Sequence, residues 1–151
     1  MKSTVASLPR DPREAGSKPF FFPAGLPGLD RYRSYYVLPV PDNRYFVFLQ
    51  AASEPEVALV LVDPLPFFPG YSFNLAERDC RNLKADQPED LLTFTTVTFG
   101  EQGPVTNLAA PVVLNPSRRR GKQVIIPEFQ ERIRIPLQLP ETRKDSPAEK
   151  R

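Results

Sequence analysis

The chain has 151 residues, with 20 basic and 18 acidic side chains, 19 prolines, one cysteine and no histidine. This length fits one domain, and so many prolines exclude a helical bundle, because each proline inside a helix costs about 3 kcal/mol. Without histidine the chain lacks the commonest general base and transition-metal ligand, and one cysteine permits no internal disulfide. The composition therefore excludes histidine-dependent enzymes, and the cysteine usage is typical of the cytoplasm.

The two ends of the chain differ from its middle. Residues 1–18 and 140–151 are dominated by proline, serine and charged residues without periodicity, which predicts flexible tails around a single domain at 19–139. Within that domain, residues 42–101 hold ten carboxylates against four basic groups, whereas residues 115–134 hold six basic groups against two carboxylates. We expect a near-neutral domain with one acidic and one basic side. No apolar run approaches the roughly 18 residues of a membrane helix, so no membrane partner is expected.

Short apolar runs separated by turn residues every eight to twelve positions are typical of an antiparallel sandwich or barrel. The pattern predicts eight strands, at 34–40, 44–50, 57–63, 71–75, 91–99, 104–108, 112–114 with 123–126, and 132–139. A hairpin turn is expected at Asp42, between the first two strands, because aspartate tolerates left-handed backbone. The third strand is apolar throughout, which predicts burial on both faces. The last strand is expected at a sheet edge, because Pro136 has no N–H group.

One short helix is predicted over 74–83, where glycine and proline are absent. Asn74 is expected to cap this helix, with Glu77 completing a capping box. Cys80 is placed on the inner face as a small buried side chain, and Glu89 beside Pro88 fits a second helix start. The fold class predicted from these patterns is all-β, a compact antiparallel barrel-like sheet with one or two short helices.

Two further patterns admit a functional and a structural interpretation. The basic run from Arg118 to Lys122, together with surface aromatic rings, fits an OB-like β-barrel that binds RNA directly. The same run fits a solvated turn between two strands, with the rings in the core. Carboxylate chemistry is the remaining option for an enzyme, and its candidates are Asp63, Asp79, Asp86, Glu89 and Asp90.

Several segments carry a family resemblance in their order and spacing. They read FPAGLPGLD at 22–30, FLQ at 48–50, VDP to FPGY at 62–71, TNLAAPVVLN at 106–115 and GKQV at 121–124. Taken together, they resemble the flagellar assembly factor FliW family from about residue 22 to residue 137. Family members usually carry a β-hairpin before the first of these segments, whereas residues 2–18 show no hairpin pattern.

The resemblance implies a compact barrel-like β fold without enzymatic activity or a cofactor. It also implies a cytoplasmic protein that binds flagellin before export, and we expect this chain to be a monomer. When flagellin is depleted, such a protein binds the carbon storage regulator CsrA, an RNA-binding repressor of flagellin translation. Binding of one partner excludes the other. No direct nucleic-acid or membrane partner is implied.

Candidate contact residues follow from charge and chemistry. The acidic stretch complements a basic RNA-binding protein, so the expected CsrA-facing residues are Asp63, Phe68, Tyr71 and Glu89. Side-chain amides pair with an added backbone, so the expected flagellin-facing residues are Asn107, Asn115 and Gln123. Two alternatives stay open: Asp63 before proline simply ends a strand, and the amides close their own turns.

Overall fold

The computed structural model describes residues 18–138, without the side chain of Pro88. The N-terminal segment predicted to lack the family hairpin, and nearly all of both predicted tails, lie outside the described residues. The strands are β1 Phe20–Phe21, β2 Ser34–Val40, β3 Asn43–Ala51, β4 Ala58–Val62, β5 Leu92–Gly100, β6 Gly103–Thr106, β7 Val112–Asn115, β8 Arg120–Gln123 and β9 Ile135–Pro136. Helix α1 spans Glu77–Leu83, and two 3₁₀ helices span Pro88–Asp90 and Pro127–Arg132.

Seven of these strands form a closed barrel. Their order is β4-β3-β2-β1-β8-β7-β5, and β5 pairs with β4 to complete the ring. The β1–β8 pairing is parallel, and the other pairings of the described strands are antiparallel. Strands β6 and β9 continue outward from β5 as a ribbon. The predicted all-β, barrel-like class with few short helices is confirmed.

The β2–β3 hairpin follows directly from its sequence. Val40 pairs with Asn43, and Asp42 has the left-handed φ of 62° that the tight turn requires. The predicted bounds of β2 match those observed, and β3 extends one residue beyond its prediction at each end. The predicted hairpin turn is confirmed.

Alternating side chains divide the barrel into an interior and an outer surface. The interior is a single apolar cluster that includes Phe20, Phe22, Leu26, Tyr35, Val37, Val47, Leu49, Ala51, Leu61, Leu92, Phe94, Val112 and Leu114. Val113 points the opposite way from its two neighbours and joins a second cluster with Leu83 and Val124, beneath α1. A third cluster, around Phe46 and Val97, lies beneath the 64–70 loop. The barrel therefore carries an apolar layer on two parts of its outside.

One predicted strand is absent and another is mostly lost, each for a physical reason. Residues 71–75 have no strand assignment; their apolar alternation serves the outer clusters, where the Tyr71 and Phe73 rings lie 5.7 Å apart. The predicted strand at 132–139 is reduced to the two residues of β9, because Pro127 opens a 3₁₀ helix ahead of it. Strand β9 pairs with β6 alone among the described strands, which confirms the edge position.

Two other strands are shorter or shifted. Strand β8 begins at Arg120 rather than at residue 123, and residues 124–126 continue only through isolated bonds, such as that from Ile126 N to Ala109 O. Strand β4 is buried on both faces only at Leu61 and Val62, since Ala58 is exposed. The prediction of two-sided burial therefore holds for the end of β4 and fails for its start.

The helix was also predicted too long. Ala76 occupies its N-cap position without a side-chain cap, so the predicted capping box of Asn74 and Glu77 is wrong. The helix buries Asp79 and Leu83, whereas Cys80 is only half-buried. The charged Asp79 can lie on the inner face beside Leu83 because it has an ion-pair partner on the barrel, described below.

Phe22 packs where β1 meets β8 in the closed barrel. Its ring lies against Gly121 of β8, where an added Cβ would approach the two Cε atoms to 2.6 and 2.8 Å and overlap the tip of the ring. The ring also meets Tyr35 edge-on, with 5.2 Å between centroids. Gly121 is therefore required by the close approach of a buried aromatic side chain.

We predict that Gly121→Ala destabilises the protein by about 1–3 kcal/mol, because Phe22 is fully buried and has little room to move. Urea unfolding followed by circular dichroism measures the change. Gly70→Ala is the matched control, since nothing lies within 4 Å of its added Cβ, and it should shift stability by less than about 0.5 kcal/mol. Equal losses in the two variants would contradict the assigned contact.

Candidate partner-binding surfaces

The loop that follows β4 begins with a buried carboxylate. Asp63 is 9% exposed, its N–H donates to Tyr45 O at 2.9 Å, and its Oδ1 accepts the N–H of Leu65 at 3.2 Å. This geometry closes a local turn at Pro64, where the strand ends. The structural alternative for Asp63 thus matches its contacts, and a direct role in partner binding stays a prediction.

The same loop presents two aromatic rings. The N–H groups of Phe67 and Phe68 both donate to Pro64 O, at 3.0 and 2.8 Å. Both side chains are half-buried against the outer cluster, and Phe67 meets Tyr45 edge-on at 5.4 Å. These contacts pack the partly accessible apolar side chains of the loop against the barrel.

Tyr71 anchors the far end of this loop. Its hydroxyl donates to Leu108 O at 2.7 Å, and its N–H donates to Phe68 O at 2.9 Å. Burial raises the pKa of Tyr71 well above its ordinary value, because the ionised ring would lose its hydration. The structure therefore brings Phe68 and Tyr71 together, with Tyr71 on the inner side.

Glu89 belongs to a different part of the surface. It is exposed in the 3₁₀ helix Pro88–Asp90 that leads into β5, where Asp90 is exposed as well. Its acidic side chain is accessible, in contrast to that of Asp63.

The three candidate amides are all bonded to backbone. Asn107 Oδ1 accepts the N–H of Ala109 at 2.9 Å, and Gln123 Nε2 donates to Ala110 O at 2.9 Å, so both residues hold one segment between β6 and β7. Asn115 is 3% exposed, and its Nδ2 donates to two carbonyls at the end of α1, Leu83 O at 2.8 Å and Lys84 O at 3.2 Å. The turn-closing alternative fits Asn107, whereas Gln123 and Asn115 bond to segments 13 and 32 positions away.

Sequence reasoning missed an ion pair beneath the helix. Lys122 Nζ lies 2.7 Å from Asp79 Oδ1 and donates to Asn82 Oδ1 at 2.5 Å. The side chains of Lys122 and Asp79 are only 12% and 9% exposed. The available signal was the strand alternation, which places Lys122 outward beside Gly121, on the side that α1 covers. Lys122 must therefore be removed from the predicted basic surface cluster.

Arg118 and Arg119 of that cluster lie in the turn predicted between two strands, and Arg120 is the first residue of β8. Arg118 is exposed, and Arg119 has the left-handed φ of 52°. The Arg119 guanidinium lies 4.7 Å from the Phe20 centroid, and that of Arg120 lies 5.4 Å from the Phe21 centroid. Next to this turn, a groove of about 430 Å³ runs along α1, lined by Glu77, Cys80, Arg81, Lys84, Ala85, Asp86 and Arg118.

Within residues 18–138, the histidine-free set of Cys, Asp and Glu side chains forms no group of three that could hold a metal ion. No helix in this part of the chain has the length and apolar character needed to span a membrane. The polar side chains described above instead attach loops and a helix to the barrel.

Fold and surface together define a small closed β-barrel with loops and short helices packed on its outside. A sequence model of the FliW protein family matches residues 10–137. Flagellar assembly factor FliW of Moorella thermoacetica is 39% identical over 108 residues, covering 70% of this chain and 68% of that protein. The corresponding factor of Syntrophomonas wolfei is 31% identical over 121 residues, covering 79% and 78%.

A solved structure agrees with these sequence relatives. The crystal structure of the flagellar assembly factor FliW superposes with a TM-score of 0.73 at 25% identity, covering 82% of this chain and 90% of that one. The chain belongs to the FliW family, and the resemblance found in its sequence segments is confirmed.

Lys122→Met should destabilise the protein by about 3–5 kcal/mol, because it leaves Asp79 buried without a cation. Urea unfolding measures the loss. The double variant Asp79→Leu with Lys122→Met should recover most of it, since both charges are then absent. Arg81→Met is the control: its 3.9 Å pair with Glu77 is exposed, and the expected loss is under about 0.5 kcal/mol. A single-variant loss no larger than this control would contradict the buried pair.

Tyr71 predicts a pH dependence with a definite sign. Its pKa is raised in the folded state, so its stabilising effect is complete below the ordinary tyrosine value and declines as pH rises above about 10. Tyr71→Phe should cost about 1 kcal/mol at neutral pH, because Leu108 O loses its donor. The variant should then lose less further stability than the wild type between pH 9 and pH 12, roughly the range where tyrosine ionises. Identical slopes in urea unfolding would contradict this assignment.

Proposed function

We propose that this FliW-family protein is a cytoplasmic partner switch. It binds flagellin and, when flagellin is depleted, binds and antagonises the translational repressor CsrA, thereby controlling flagellin synthesis. The observation that carries the proposal is family membership across residues 10–137, together with relatives named as flagellar assembly factors. The proposed role is binding rather than catalysis. This role fits the candidate polar side chains, most of which hydrogen-bond within the protein.

For CsrA we propose two kinds of contribution from the four candidate residues. Phe68 and Glu89 contact the partner directly, because the first is half-buried on an ordered loop and the second is exposed. Asp63 and Tyr71 act as positioning residues that hold the loop through their bonds to Leu65 and Leu108. A loop fixed before binding loses little entropy when a partner docks.

For flagellin we propose the side of the barrel that carries the segment between β6 and β7. Asn107 and Gln123 shape this segment, and Ile125 beside it is 61% exposed. The bond from Ile126 N to Ala109 O, with its counterpart from Val124 N to Pro111 O, leaves the Ile125 side chain on the outside. Asn115 contributes indirectly, by securing α1 to β7.

A switch of this kind is a competition for one protein. If each partner excludes the other, free flagellin holds the factor, and CsrA is left to repress translation. The coupling is reciprocal, so CsrA must weaken flagellin binding by the same factor by which flagellin weakens CsrA binding. Equal factors in the two orders of addition are therefore a quantitative signature of the proposal.

The test is calorimetric titration of the purified protein with flagellin and CsrA from the same organism, first separately and then one against the complex of the other. Binding of both partners, with the second excluded by the first, is expected. Failure to bind either partner would overturn the proposed switch while leaving the family assignment intact. Simultaneous binding without mutual weakening would overturn the competition.

Charge reversal tests the proposed CsrA surface. Glu89→Lys should weaken CsrA binding about tenfold at low salt and less at high salt, because a like charge then faces a basic partner. Glu128→Lys, an exposed carboxylate in the other 3₁₀ helix, carries the same charge change and should leave the affinity unaltered. Equal effects of the two variants would remove Glu89 from the proposed surface.

A further inference from the structure

Arginines flank the short strand β1 on both of its edges. The N–H of Phe21 donates to Arg119 O at 2.9 Å, and the N–H of Phe22 donates to Arg33 O at 2.7 Å. Arg118 precedes Arg119 in the β7–β8 turn, and Arg120 follows it as the first residue of β8. Arg120 is the register partner of Phe21 and lies over its ring, whereas Arg119 lies over the buried Phe20. We call Phe21, Arg120 and the exposed Arg118 the arginine face.

The charges of this face are not neutralised by carboxylates of the described residues. The ion pairs found in residues 18–138 join Arg81 to Glu77 and Lys122 to Asp79. Arg120 lies over the Phe21 ring, and the two neighbouring arginines also contact uncharged groups: Arg119 lies over Phe20, and Arg33 Nη1 donates to Pro23 O. A guanidinium over a ring or on a carbonyl keeps its full charge and most of its five donors. The face therefore offers unused capacity for an anionic partner.

The face combines this charge with an apolar anchor and a neighbouring groove. Phe21 is 41% exposed, although the Arg120 guanidinium lies over its ring. Arg118 also lines the groove of about 430 Å³, to which Arg81 and Lys84 add further cations. Charge, an exposed ring and a concave extension thus adjoin one another on one side of the barrel.

We propose that the arginine face binds an acidic polypeptide segment that carries an apolar side chain. The apolar side chain packs on Phe21, and the flanking carboxylates accept paired hydrogen bonds from Arg118 and Arg120. Guanidinium groups match carboxylates in this two-bond geometry, which gives orientation as well as attraction. This surface contains none of the residues proposed to contact CsrA, and its binding does not depend on the proposed switch.

The surrounding charges favour a polypeptide over a nucleic acid. Residues 18–138 carry 13 basic and 13 acidic side chains, so the domain lacks the excess of cations that neutralising several phosphates requires. Glu77 and Asp86 also line the groove, where they would repel a phosphate at every nucleotide. A polypeptide can space its carboxylates to meet Arg118 and Arg120 and place neutral residues against the acidic positions.

Fluorescence anisotropy tests the proposal on the full chain. The probe is a fluorescein-labelled octapeptide, Glu-Asp-Leu-Glu-Asp-Phe-Glu-Glu, compared with the same peptide carrying Gln and Asn for Glu and Asp, and with a labelled oligouridine of similar length. The acidic peptide should bind, with an affinity that falls as salt rises, and the amide peptide should not. Tighter binding of oligouridine than of the acidic peptide, or no binding of the acidic peptide, would overturn the proposal.

Two double variants carry the same charge change at different places. Arg118→Ser with Arg120→Ser should weaken the acidic peptide at least about tenfold, the loss expected from two charge-assisted contacts. Arg44→Ser with Arg134→Ser is the control. Phe21 pairs with Ser34 at the start of β2, whereas Arg44 follows the hairpin turn at the end of β2. At ~3.3 Å per residue, the two ends of β2 are about 20 Å apart. Equal weakening by both double variants would reduce the effect to net charge and overturn the assigned site.

A third variant separates the apolar anchor from the charges. Phe21→Ser leaves every arginine in place and should also weaken the acidic peptide severalfold, because the exposed ring is lost. Urea unfolding of each variant shows that the barrel is intact, which is expected since these side chains lie on the surface. Unchanged peptide affinity in Phe21→Ser would contradict the apolar anchor.

Discussion

The fit of Phe22 against Gly121 is the constraint on which the barrel depends. Strand β1 has two residues and meets β8 at the single register pair of Phe21 with Arg120, so its backbone bonds alone hold it weakly. The buried ring supplies what the ladder lacks, since it fills the interior beside Tyr35 and sets how closely β8 approaches. One large and one minimal side chain, far apart in sequence, thereby convert a curved sheet into a closed ring and leave β6 and β9 as its outer ribbon.

The polar side chains of the outer layers have a common role. Lys122 and Asn115 attach α1 to β8 and β7, and Tyr71 attaches the loop after β4 to Leu108. Each bond is buried, where a missing partner would be costly, so these attachments fix the outer elements in place. The proposed partner surfaces lie on the elements that these bonds attach to the barrel. The barrel thus acts as a scaffold, and the accessible chemistry lies on the loops around it.

The sequence correctly predicted the elements that depend on interactions between neighbouring residues. The hairpin at Asp42 and the bounds of β2 were correct because turn chemistry and alternation act over a few residues. Residues 71–75 were mistaken for a strand because alternation reports burial, and here an irregular segment buries the same face against an outer cluster. The ion pair of Lys122 with Asp79 was missed for a different reason: its partners are 43 positions apart, and charge counting treats both as surface groups.

The parallel pairing of β1 with β8 also has a consequence for synthesis of the chain. Phe22 is synthesised early, whereas Gly121 follows about a hundred residues later. The Phe22 ring therefore lacks its packing partner during most of translation. The β2–β3 and β3–β4 pairs can form from nearby residues as they emerge. Closure of the barrel must wait for β8, and until then the apolar start of the domain stays uncovered. A nascent chain of this protein is therefore most exposed to aggregation just before its last quarter leaves the ribosome.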